Sequence, residues 1–270
     1  MPVSKLKNLA ILILLLANAA LLCLLLPRFA AQRQQVENLR SSLVGLCAEQ
    51  SVVLESKAIP ETVTLYALEL ANNEDAEAEA MAALLGQTPV RTDSAFEPTQ
   101  TLRMGRWENG SISLRLQGQK EISDQKAHAA RTLRSMGITI FEVEKPVRVS
   151  PGIYTLHAVQ SVLGVPVFSD GITLTYSNSA LSQMEGDLYT GTLTRTGDLP
   201  CISASEAVVA FLASRVDTGW VGSSVTGLEQ GYFRAETTGA AIRLTPAWKL
   251  HTDTGSFLIN GLTREVLPLN

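Results

Sequence analysis

Hydrophobic positions change their spacing along this chain, and each spacing predicts an element. Between Lys7 and Arg28 lies a stretch, residues 8–27, without a charged side chain. Leu and Ala dominate it, and Asn18 is the one strongly polar residue near its middle. Twenty helical residues rise about 30 Å, the thickness of a bilayer's hydrocarbon core, where only a hydrogen-bonded helix satisfies its own backbone. The spacing predicts a transmembrane helix over 8–27 behind a short tail, residues 1–7, which the resemblance given below places in the cytoplasm. A cleaved signal peptide has a shorter apolar region that ends at a small-x-small site. The segment Pro27-Arg28-Phe29-Ala30-Ala31 is a poor site of that kind, so an uncleaved anchor is expected. Asn18 near the bilayer midplane, with Ala19 and Cys23 spaced small-xxx-small, suits contact with a neighbouring helix.

After Pro27 a second helical pattern covers residues 28–50. Phe29, Val36, Leu39, Leu43 and Leu46 form an a/d-like stripe with polar residues on the other faces. That stripe packs either on the protein's own sheet or on a partner helix beside the membrane.

The remainder reads as an α+β fold of tandem helix-plus-antiparallel-sheet units, each a β-meander carrying a helix, over 51–118, 119–198 and 199–270. In the first unit, residues 62–70 alternate as a strand. Asn73 then precedes an acidic helix start, and Gly86 ends that helix. Strands at 102–107 and 111–116 are joined by Asn109-Gly110, the strongest short hairpin signal. In the second unit, Ser123 reads as a cap, Ala127, Ala130, Leu133 and Met136 as one apolar face, and Gly137 as the stop. Strands are predicted at 138–143, 153–159, 165–168, 172–176 and 180–189. The third unit opens on Ser203 with Glu206 three residues on, a capping box. Strands at 225–235, 240–251 and 256–266 follow. Units of about 70 residues bury too little surface to stand alone, so they are expected to pack together.

Composition narrows the function more than it names it. With 22 Lys+Arg against 26 Asp+Glu, the net charge of -4 gives no basic footprint, and no nucleic-acid partner is expected. Three Cys exclude a disulfide-dense scaffold, and three scattered His exclude a His-rich metal protein. His128, His157 and His251 have no acidic pair at ligand spacing. No Gly-x-Ser-x-Gly elbow is present; Gly222-Ser223-Ser224 reads as a loop. Glu74, Asp75, Glu77 and Glu79 read as a solvated helix face rather than a calcium loop. Cys47 and Cys201 are either bridged or two buried thiols. No catalytic residue, cofactor or metal is expected, and the chain is not read as an enzyme. Lys5 and Lys7 before the span, against Arg28, Arg33 and Arg40 after it, do not orient it by charge counting.

The C-terminal stretch Pro246-Ala247-Trp248-Lys249-Leu250, the turn Asp253-Thr254-Gly255 and the run Phe257-Leu258-Ile259-Asn260-Gly261-Leu262-Thr263 resemble the ending of YycI-type and PepSY-like domains. Gly164-Val165-Pro166-Val167-Phe168 followed by Ile172-Thr173-Leu174 resembles a strand pair of YycH and YycI proteins. The chain departs from the pattern at Arg264, where glycine is usual, and at Gly261, where alanine is usual. The resemblance implies a single-pass, extracytoplasmic regulator of a sensor histidine kinase in a Gram-positive cell-envelope two-component system. The partner is then that kinase or a paralogous regulator. Asn18, Ala19, Cys23, Val36, Leu39, Leu43 and Leu46 are the contact candidates it points to. The alternative is an anchored PepSY-like module that binds or inhibits a secreted protease or an envelope polymer.

Overall fold

The computed structural model describes Leu14, Asn38 and residues 40–60, 63–71, 74–168, 171–235 and 241–269. Along the chain run α1 (residues 40–49), β1 (Val53–Leu54), β2 (Tyr66–Leu70), α2 (Glu74–Leu85), β3 (Arg91–Thr92), β4 (Ala95–Phe96), β5 (Leu102–Glu108), β6 (Ser111–Leu116) and α3 (Gln125–Ser135). They continue as β7 (Ile140–Val143), β8 (Val147–Ser150), β9 (Ile153–Val162), β10 (Val165–Pro166), β11 (Ile172–Ser177), β12 (Ala180–Asp187) and β13 (Leu193–Pro200). The chain closes with α4 (Ala204–Ala213), β14 (Ser224–Ala235), β15 (Ile242–Thr252), β16 (Gly255–Asn260) and β17 (Val266–Leu269).

These elements correct the expected fold class. Strands dominate, and they gather into a ten-stranded and a seven-stranded sheet rather than three meanders each carrying its own helix. Among the described residues, no helix is long and apolar enough to cross a membrane. The stretch 8–27, read from sequence as a transmembrane helix, lies outside the described residues except for Leu14.

The sheets ignore the sequence boundaries. β5 and β6 join β12, β11 and β9 in the large sheet. β1 pairs in parallel with β14, while β2 bridges β13 and β15 in the small one. Helices α2 and α3 both cover the large sheet, with Met81, Leu133, Trp107, Leu114 and Tyr176 in one core. Helices α1 and α4 both cover the small sheet, around Phe211, Trp248 and Leu250. A short helix on two or three strands leaves its stripe half wet; two helices on a shared broad sheet bury both stripes.

Local signals hold at most turns. Asn109 and Gly110 take φ of 51° and 81°, the left-handed pair a two-residue hairpin needs. Ser203 caps α4 with the full reciprocal box to Glu206. Asp124, not Ser123, caps α3, its side chain accepting from the Ala127 N–H at 2.9 Å. Ala129, Leu133 and Met136 are buried while Ala127 faces solvent, so the buried face takes Ala129 in place of the expected Ala127. The expected cap Asn73 lies outside the described residues.

A third core joins the sheets. Val162, Val165 and Val167 from the large sheet meet Leu65, Leu68, Tyr232 and Leu244 from the small one. The segment after β10 forms a parallel bridge from Val167 to Tyr232. The Phe168 ring lies where a Cβ on Gly231 would stand, 2.7 Å from it. Glycine is therefore needed at 231 for the two sheets to approach.

Candidate functional site

The contact residues read from sequence divide into two groups. Asn18, Ala19, Cys23, Val36 and Leu39 lie outside the described residues. Leu43 and Leu46 lie on α1. Leu43 is 5% exposed and packs with Cys47 into the protein's own core, so its side chain is taken up there. Leu46 keeps a 37% exposed side chain on the solvent side of the helix. Arg40 ties α1 down by donating to the Ile59 carbonyl at 2.9 Å. Arg215 ties its end, donating to the Gln50 carbonyl at 3.1 Å.

The nucleophiles and histidines serve the fold. Cys47 and Cys201 are free thiols, and burial pushes both up from the ordinary thiol value. His128 Nδ1 meets the Tyr176 hydroxyl at 3.0 Å, and that hydroxyl donates to the Gln125 carbonyl at 3.2 Å. Burial, with Arg131 nearby, holds His128 below its ordinary value. His251 shares a 3.0 Å hydrogen bond with Ser256 across the β15–β16 pair, and burial lowers it too. Of the acidic run on α2, Glu77 is buried, 2.6 Å from Arg91, while Glu74, Asp75 and Glu79 are exposed. Among the described residues, no group of three or more His, Cys, Asp or Glu could hold a metal ion.

Two buried glutamines organise the junction between the sheets. Gln230 on β14 accepts from the Val63 N–H and donates to the Val63 carbonyl, both at 2.8 Å. Gln160 on β9 does the same to Tyr189, at 2.8 and 2.6 Å. Each side-chain amide thus mimics one rung of a β-ladder and pins a crossing segment to a strand.

Beside the Gln160 clamp opens a cleft of about 430 Å³. Its walls are α2, the C-terminal end of α3, the β9–β10 turn and the segment from Tyr189 to Leu193 that crosses between the sheets. Met136, Val162, Leu163 and Leu193 supply apolar surface; Ser161 and Thr190 supply hydroxyls. The Thr190 Oγ1 is shut off from solvent and has no hydrogen-bond partner among the described residues. Glu79 is the charged residue of the lining. Sequence reading missed this cleft because its walls come from four separate segments. The local signals for it are Leu163-Gly164 and Gly191, whose φ of 52°, 84° and 114° turn the chain at its rim.

No family model and no curated protein matches the chain. An uncharacterized protein from Eubacterium rectale, known from its crystal structure, is similar at 12% sequence identity. The match covers 81% of this chain and 90% of that one, with a TM-score of 0.48.

Proposed function

We propose that this chain is a non-enzymatic regulator that works at a cell membrane, outside the cytoplasm, by touching a membrane partner. By the YycH/YycI resemblance that partner is a sensor histidine kinase of an envelope two-component system, or a paralogous regulator. The observation that carries the reading is the rooting of α1. Residues 28–39 are all that separate the uncharged stretch 8–27 from a helix sunk in the small sheet's core through Leu43 and Cys47. A contact made at 8–27, or at the exposed Leu46, therefore bears on a body that is closely tethered. Binding one kinase state about tenfold more tightly than the other, about 1.4 kcal/mol, shifts the kinase equilibrium by the same factor.

The test places photo-cross-linking side chains at positions 18 and 46 of the full-length chain in cells that carry the kinase. The reading expects an adduct with the kinase at one or both positions and altered kinase output in Asn18→Leu. No adduct at either position, together with unchanged output, refutes it. The second reading, a PepSY-like module for a secreted protease or envelope polymer, draws on β8. Its Val147 and Val149 are 60% and 64% exposed on an edge strand, where added chains pair. A chain beginning at residue 38 keeps its activity under this second reading and loses most of it under the first.

A further inference from the structure

We propose that the cleft at the sheet junction binds a small amine, an ammonium group on an apolar body. The inference stands apart from the regulator reading, because it rests on a different part of the molecule. Size comes first. About 430 Å³ is within the range of small-molecule sites, which favour junctions between structural units.

Charge decides the class. Among the described residues, Glu79 is the charged residue of the lining, and no Lys, Arg or His joins it. The C-terminal end of α3, at Ser135, Met136 and Gly137, also lines the cleft. Three of its last four carbonyls are capped, those of Thr132, Leu133 and Arg134 accepting from the N–H groups of Met136, Ile138 and Gly137, so the Glu79 carboxylate is the feature that favours a cation and disfavours a carboxylate or phosphate.

A hydroxyl supplies a further reason. Ser161, 7% exposed, is among the lining residues and carries one. Hydroxyl oxygens accept, and an ammonium offers three donors. Val162, Leu163 and Leu193 supply apolar surface for the rest of the molecule. Leu163, 66% exposed at the turn, is the side chain by which the wall reaches solvent.

The experiment uses two probes that share a body and differ in charge, phenethylamine and 3-phenylpropanoate, titrated into the full-length chain by ligand-observed NMR. The expected result is binding of the amine at least about fivefold tighter than of the carboxylate. Glu79→Gln, a change at an exposed position, should weaken the amine about threefold, the scale of a solvent-exposed ion pair. Leu163→Arg, also at the surface, places a cation at the rim and should abolish amine binding. Thermal unfolding of each variant shows that it is folded. Three results would overturn the proposal: no saturable binding of either probe, equal affinity for both, or amine binding that survives Leu163→Arg.

Discussion

Replacing Arg91 by Met isolates the most consequential charge in the large-sheet core. Glu77 on α2 is 4% exposed, and Arg91 on β3 meets it at 2.6 Å with its side chain 14% exposed. Arg91 also donates to the carbonyls of Asp93, at 2.6 Å, and Trp107, at 3.3 Å, and its guanidinium lies 5.5 Å from the Phe96 ring centre. Burial lifts the Glu77 carboxyl above its ordinary value by more than Arg91 lowers it, and Glu74 lifts it further. Arg91→Met leaves a carboxylate buried without its cation, a loss of about 3–5 kcal/mol. For a body of this size that is a fall in Tm of about 6–20 °C, read by differential scanning calorimetry at pH 7. The sign with pH follows from the raised carboxyl. As pH rises through the ordinary glutamate range, the unfolded chain ionises first, so Glu77 subtracts stability there; the subtraction is complete once the folded carboxyl has also ionised. Without Arg91 the folded carboxyl rises further, so the variant should recover part of its Tm on acidification. Glu77→Met combined with Arg91→Met should regain more than half of the single-variant loss, because no buried charge remains. A single-variant loss below about 1 kcal/mol refutes the argument. So does a double variant as unstable as the single one, which would assign the effect to the Trp107 and Asp93 hydrogen bonds.

Further expectations concern the C-terminal pattern and the thiols. Gly261→Ala places a Cβ 2.5 Å from Cys201 Sγ and 2.6 Å from the Pro246 carbonyl; it should cost about 1–3 kcal/mol of overpacking, seen as a lower denaturant midpoint at unchanged slope. Arg264→Gly should raise the stability by about 0.5 kcal/mol, read as a higher midpoint. It relieves a left-handed φ of 66°, a gain that exceeds the loss of an exposed ion pair to Glu206 at 2.8 Å; an unchanged or lower midpoint contradicts this. Cys47 and Cys201 should resist a thiol reagent at neutral pH in the folded protein and react in guanidinium, since burial raises both thiols. Fast labelling of Cys47 in the folded chain would show that α1 is not rooted as described.

Two residues of the C-terminal stretch illustrate what a motif leaves out. At Gly261 the chain passes close over Cys201 and Pro246, where a side chain does not fit. Arg264 takes the left-handed conformation that favours glycine, at φ 66°. Sequence reading carries one strand through 256–266, whereas β16 ends at Asn260 and the chain turns before β17; neither that turn nor the close approach at Gly261 was legible, the latter because Cys201 lies 60 residues earlier.

What the chain determined unaided is local. Asn109-Gly110, the Ser203/Glu206 box, Gly86, Gly137 and the alternation in β5, β6, β11 and β14 act through φ/ψ preference and orphan amides within a few residues. A one-residue ambiguity such as Ser123 against Asp124 marks the limit of that reach. What only the tertiary structure decided is which strands share a sheet, that β8 and β13 exist at all, and that α1 belongs to the small sheet. The same holds for the cleft beside Gln160. Gln230 holds Val63 across 167 residues of sequence, and β1 pairs with β14 across a similar span. Such pairings depend on which arrangement buries the most apolar surface while leaving the fewest backbone groups unbonded. That balance belongs to the whole chain, and no window of a dozen residues contains it.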